Sequence, residues 1–232
     1  MKLRIRYAKR GKVRFTSHRD TARIWERAMR RAQVPVATSA GFTPRARLSF
    51  GLALPTGAES VAEYLDAEVL EGAMTSDDLA TLPDRLEPVL PVGFEVLVVA
   101  EQGPRAGSLQ EAVTSVTWEL ETAAGFDVGA AVARALSARE LPIERERKGE
   151  RRVDDVRPAI RALAAMDDHT VVAEVVTVGR GLRPAELAAV VFPGADMTAL
   201  LALRTHQWIE HDGDRREVLA LPVVAPAPLV GA

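Results

Sequence analysis

The chain has 232 residues, 47% hydrophobic and 27% charged, with a formal net charge of -2 at pH 7, a balance that buries a core and excludes a disordered polyelectrolyte. It contains no cysteine, which excludes disulfides, thiolate nucleophiles and metal or iron–sulfur centres held by cysteine. The small net charge hides an asymmetry: residues 1–50 carry 14 Lys and Arg against Asp20 and Glu26 alone, leaving 16 basic and 30 acidic groups in residues 51–232.

Lys2 to Tyr7 alternates basic and apolar residues, with Leu3, Ile5 and Tyr7 on one side and Lys2, Arg4 and Arg6 on the other. That is the period of a half-buried strand. Lys9-Arg10-Gly11 reads as a turn and Lys12 to Phe15 repeats the alternation, predicting an N-terminal hairpin. No apolar signal-peptide core interrupts this basic start, and the most apolar stretch, Leu187 to Leu203, is broken by Pro193, Gly194 and Asp196. A cytoplasmic chain with no membrane partner is expected. Ser17 caps a helix over His18 to Gln33, with Asp20 three residues on closing a box-like pair. On this helix Ala22, Trp25, Met29 and Ala32 share an apolar face, while Arg19, Arg23, Arg27 and Arg30, at spacings of four, four and three, form an arginine stripe.

Pro35 and Ser39 to Pro44 mark a loop. Strands follow at Arg47–Leu52 and Ala62–Leu70, then a helix from Thr75 towards Leu90, then a strand at Phe94–Ala100. Gly103, Pro104, Gly107 and Ser108 make Glu101–Gln110 a linker. Beyond it come a strand at Ser115–Glu121, a helix at Asp127–Ala138 and a strand at Ile143–Arg147. Val156–Met166 fits either period, since Pro158 spoils a helix interior. Val171–Val178 is a strand, Pro184–Val191 a helix with proline in its first turn, and Leu200–Ile209 a last strand. The order β-α-β-β-α-β, which partly recurs in the second half, predicts the α+β class: two ferredoxin-like α/β sandwich units with antiparallel sheets, the first (1–102) extended by the hairpin, the second over 110–220, and a Pro/Ala/Val-rich tail at 221–232.

No GxxxxGK[ST], GxSxG or HExxH occurs, Gly179-Arg180-Gly181 is a lone GxG, and His206 and His211 stand five apart, matching neither helical nor strand spacing for a metal. No cofactor is expected. Two constellations remain. In the first, His18 and Asp20 lie two residues apart near Arg45 and Arg47 and are candidates for proton transfer on a bound phosphate ester or base; the alternative is that Asp20 caps the helix and His18 packs at its start. In the second, Lys148 to Pro158 is a basic turn containing Lys148, Arg152 and Arg157, either an anion site or a solvated hairpin. The charge asymmetry points to nucleic acid, an acidic partner or the acidic half of the same chain. With RNA as partner, the outward faces of the hairpin (Lys2, Arg4, Arg6, Lys12, Arg14) and the stripe through Arg23, Arg27 and Arg30 would meet phosphates, and Phe42 would stack on a base.

Several of these segments form a recognisable set: Phe15-Thr16-Ser17-His18-Arg19-Asp20, Glu26 to Ala32, Ser39 to Phe50, Leu54-Pro55-Thr56-Gly57-Ala58-Glu59-Ser60, Glu63-Tyr64-Leu65-Asp66, and later Val153 to Pro158 and Gly181 to Leu187. Together they resemble the radical-SAM-associated family first filed as a domain of unknown function, found alone or fused behind cobalamin-binding-type radical SAM proteins. Arg19 stands where that family has an aliphatic residue, and Thr43 where it has Asn. The resemblance implies a partner rather than a reaction: a separate radical SAM enzyme, since that chemistry needs three closely spaced cysteines. The expected function is therefore an accessory protein that binds RNA (tRNA or rRNA) and presents it for modification or maturation. The alternatives are an RNA-modifying enzyme acting through His18 or Asp20, and a protein-docking scaffold.

Overall fold

The alternation at the N-terminus does form a strand, β1 (Lys2–Lys9), and its odd-numbered side chains Leu3, Ile5 and Tyr7 start the first core. The structure, a computed structural model, describes residues 1–103, 108–122, 125–147, 149–179, 181–195 and 200–221. A 3-10 turn over Gly11–Phe15 follows β1, where a second hairpin strand was expected. The reason is edge occupancy: both edges of β1 are already paired, one with β3 (Glu59–Glu68) and the other with β4 (Phe94–Gln102). Between them run α1 (His18–Arg31) and the short β2 (Leu48–Phe50), which pairs with β3. Ser17 Oγ accepts the Asp20 N–H and opens α1; Gln33, at φ 54°, ends it in the left-handed region. The single helix expected over Thr75–Leu90 is split into α2 (Ser76–Ala80), α3 (Leu82–Leu86) and a 3-10 turn over Glu87–Val89. Pro83 and Pro88 sit at the second positions of the later pieces, within the first turn, where their missing N–H costs nothing.

The second half repeats the plan. A short α4 (Leu109–Ala112) leads into β5 (Val113–Glu121) and α5 (Val128–Ser137). A separate hairpin, β6 (Pro142–Arg147) with β7 (Glu150–Asp155), precedes β8 (Ile160–Ala165) and β9 (Thr170–Val176). The ambiguous segment around Pro158 is thus a 3-10 turn at Arg157–Ala159 followed by a strand. α6 occupies Pro184–Val191, and β10 (Leu201–His211) and β11 (Asp214–Glu217) follow it. The first half has the strand order β4-β1-β3-β2 and the second β10-β5-β9-β8, the same order by position. Because β2 covers only Leu65 to Ala67 of β3, the start of β3 is free to pair in parallel with β10, Glu59 with Leu203 and Ser60 with Arg204. One nine-stranded, mostly antiparallel sheet results.

Each half buries a core under its helices, one around Trp25, Ile5 and Leu65, the other around Trp118, Leu120 and Val171. In the first half the opposite face is buried too, because Leu109, Val218 and Leu219 lie over Ala62 and Tyr64. Among the described residues, no helix is long and apolar enough to cross a membrane.

Candidate functional site

The arginine stripe is real. Trp25, Ala28 and Met29 bury one face of α1, which leaves Arg19, Arg23, Arg27 and Arg30 exposed, with Arg31 beside them. At 1.5 Å per residue, Arg19 to Arg31 spans about 18 Å of helix axis. Two contacts order the row: Arg23 lies 3.3 Å from Asp20 Oδ1, and Arg27 Nε donates to the Arg23 carbonyl at 3.2 Å. Exposed ion pairs of this kind are weak, so the guanidinium groups stay available to a stronger anion. Lys12 and Arg10 are exposed on the turn before the helix. Past it, the Ser39 N–H bonds the Arg45 carbonyl and the Arg45 N–H bonds Ser39 Oγ at 3.1 Å, closing a loop with Phe42 fully exposed. Arg45 and Arg47 are exposed as well, Arg47 lying 2.9 Å from Glu68.

Three side chains expected to face outward are wholly or partly buried. Arg4 and Arg6 are buried rather than outward, because β1 is an interior strand covered on both faces. Arg4 forks onto Asp66 at 2.7 and 2.9 Å, and Lys2 reaches the same carboxylate at 3.0 Å. Arg6 donates to the carbonyls of Val61 and Leu219 at 2.9 Å and lies 2.6 Å from Glu217, a close ion contact without hydrogen-bond geometry. Arg14 is half-buried and bonded to Glu59 at 3.2 Å. Of the 14 basic groups in residues 1–50, nine are exposed, and Arg4, Arg6 and Lys9 are structural.

The acid–base candidates are separated by their roles. Asp20 accepts from Ser17 Oγ at 2.7 Å, and this bond, then the charges of Arg23 and Arg19, holds its carboxyl below the usual carboxylate range. Such a group is a weaker base than an ordinary carboxylate. His18 is exposed and sets its ring edge-on to Phe50 at 5.6 Å; among the described residues no hydrogen bond joins it to Asp20. Among the described residues, no three His, Asp or Glu gather as metal ligands.

The second constellation is the β6–β7 hairpin. Arg152 is exposed and sits 3.4 Å from Asp154, Arg157 donates to the carbonyls of Ile160 and Leu136, and Lys148 lies outside the described residues. Arg145, which the sequence did not single out, is buried and forks onto Glu186 at 2.9 and 2.8 Å while also bonding Asp154 at 3.3 Å. It fastens the hairpin to the first turn of α6. Burial alone would raise the Glu186 carboxyl, but Arg145 and the Arg183 N–H overcome that and lower it.

One feature escaped the sequence altogether. Where the two halves of the sheet meet, a cavity of about 310 Å³ opens between Leu52, Pro55, Trp118, Leu182, Pro184 and Arg204. A second of about 250 Å³, sharing Pro55, Arg183 and Pro184, continues it past Arg14 and Phe15. The motif segments 54–60 and 181–187, more than a hundred residues apart, both supply its walls. Arg204 lines it: Nε donates to Glu63 at 3.0 Å and Nη2 to the Leu52 carbonyl at 2.9 Å, with the guanidinium 5.5 Å from the Trp118 ring centroid.

The model of a family described as "Uncharacterized protein conserved in bacteria (DUF2344)" matches residues 2–184. No curated protein matches the chain.

Proposed function

We propose, for a chain that belongs to the DUF2344 family, a role as an RNA-binding accessory protein whose contact surface is the exposed face of α1. The observation that carries this reading is the row Arg19, Arg23, Arg27, Arg30 and Arg31 on one helix held rigid by buried Trp25, with only Asp20 and Glu26 on that helix to offset it. Guanidinium groups on a fixed element pair with phosphate oxygens and release counterions, the dominant source of affinity for a nucleic-acid backbone. RNA suits the site better than duplex DNA because a fully exposed aromatic ring, Phe42, stacks on unpaired bases, and RNA loops offer those. The reaction itself belongs, in this reading, to a separate radical SAM enzyme, to which the chain presents a tRNA or rRNA. The likeness of the motif segments to the radical-SAM-associated family supports that partner, and these 232 residues provide no cysteine for a cluster.

The test reverses charge without touching the core. Arg23→Glu with Arg27→Glu alters two exposed positions, so thermal unfolding should stay within about 1 kcal/mol of wild type. Affinity for a labelled structured RNA should fall at least about tenfold per reversed contact in low salt. A folded double variant that keeps wild-type affinity would remove the α1 surface from the account.

A further inference from the structure

We propose that residues 222–232, which lie outside the described residues, add a strand to the outer edge of β4. Among the described residues β4 ends the sheet: β1 pairs with one side of it and no strand pairs with the other. It is nine residues long, and Val96-Leu97-Val98-Val99-Ala100 along it are all half-buried. A long apolar edge presents unpaired N–H and C=O groups to any extended chain, and folded proteins cover or blunt such edges. The opposite end of the sheet, β8, is six residues long with exposed Arg161 in it, and is less of a hazard.

The chain already runs towards that edge. The Val218 N–H bonds the Gln207 carbonyl of β10 at 3.1 Å, and Val218 and Leu219 pack on Ala62 and Tyr64 of β3. It thus crosses the sheet from β10 over β3, and β1 and then β4 are the next strands in that direction. From β3 to a strand outside β4 is three strand spacings, about 14 Å, which about four or five extended residues cover. Residues 220–224 supply that length. The sequence beyond suits an edge strand, because Pro222, Pro226 and Pro228 all stand at even positions. Successive residues of a strand point their N–H groups to opposite sides, so Ala225, Ala227 and Leu229 can bond β4 while every missing proline N–H faces solvent. Proline on the outer side then stops further pairing. A second copy fits the edge less well. Two β4 strands paired about Val98 would set Glu95 of one against Glu101 of the other, whereas residues 222–232 carry no charged side chain.

Amide hydrogen exchange of the full chain, read by mass spectrometry over the β4 peptide, tests the edge. Two variants are compared with wild type after a melting check. Ala225→Pro with Ala227→Pro removes two N–H groups from the bonding side, and Val224→Pro with Val230→Pro adds as many prolines at even positions. Wild type should exchange the outward amides of β4 at least about tenfold more slowly than the odd-position variant, the factor carried by one net hydrogen bond. The even-position variant should stay within about twofold of wild type, since its new prolines face solvent. Protection in wild type should not change on dilution, because the added strand belongs to the same chain. Equal exchange in all three proteins, an even-position variant as open as the odd-position one, or protection that fades on dilution, as pairing with a second copy would, overturns the proposal.

Discussion

Arg204 is the residue on which the junction of the two half-sheets most depends. It is 2% exposed, stands opposite Ser60 at the parallel pairing of β10 with β3, gives two nitrogens to Glu63 and one hydrogen bond to the Leu52 carbonyl. Arg204→Met keeps the length of the side chain and removes the charge and the donors. Glu63, itself 6% exposed, is then a buried carboxylate without its cation, and breaking a buried pair from one side costs about 3–5 kcal/mol. That is a large share of the 5–15 kcal/mol typical of a folded chain. Arg204→Met with Glu63→Leu leaves no orphaned charge and should recover at least about 2 kcal/mol of the loss, because a packed apolar pair can replace a buried ionic one. Urea unfolding followed by tryptophan fluorescence reads both, through the shift in midpoint at constant slope. Arg204→Met within about 1 kcal/mol of wild type, or a double variant as unstable as the sum of its singles, would refute the idea that this pair is desolvated and coupled.

Trp25→Ala should cost about 3–5 kcal/mol in thermal or urea unfolding, since Trp25 is wholly buried against Tyr7 and Phe94. Gly93→Ala should destabilise by more than about 1 kcal/mol, because Gly93 sits at φ 101° and a Cβ there would fall 2.3 Å from the Arg10 carbonyl oxygen. Glu186 has a lowered folded-state pKa, so its contribution to stability is full above the unfolded value of about 4.3 and is lost as pH falls through the folded value. The melting gap between wild type and Glu186→Gln should accordingly be wide at neutral pH and close only as pH falls through the lowered folded-state pKa. His18→Ala should bind RNA within about twofold of wild type and still support modification in cells; a loss of modification by roughly 10² to 10⁴ with normal binding would instead make His18 a catalytic residue.

Local signals carried most elements of the fold. Ser17 and Asp20 at the start of α1, Pro184 at the start of α6, and the alternation through β5 and β9 all act within a few residues, so their effect could be read in one dimension. The N-terminal hairpin failed for a non-local reason. Lys12 to Phe15 alternates like a strand, but β3 and β4 occupy both edges of β1. The same interior position misled the reading of charge, since alternation shows that Arg4 and Arg6 oppose the first core without showing that Asp66, Glu217 and Leu219 cover them. Pro83 and Pro88 were visible breakers of the helix expected towards Leu90, and their local rule should have outweighed the apolar period there. The arginine row was legible because a single helix carries it. The groove was not, because Phe15, Pro55, Trp118, Leu182 and Arg204 come from five segments that only the parallel junction of β3 with β10 brings together.

The most direct measurement is the dependence of RNA affinity on salt, for wild type and for Arg23→Glu with Arg27→Glu. If the five arginines of α1 meet phosphates, log Kd should rise with log salt at a slope of about 3 to 4 for a single strand, a loss of roughly two decades between 50 and 200 mM. The double variant should flatten that slope by at least about 1.4, the share of two phosphate contacts. A wild-type affinity that is indifferent to salt, or a variant with an unchanged slope, would contradict the account.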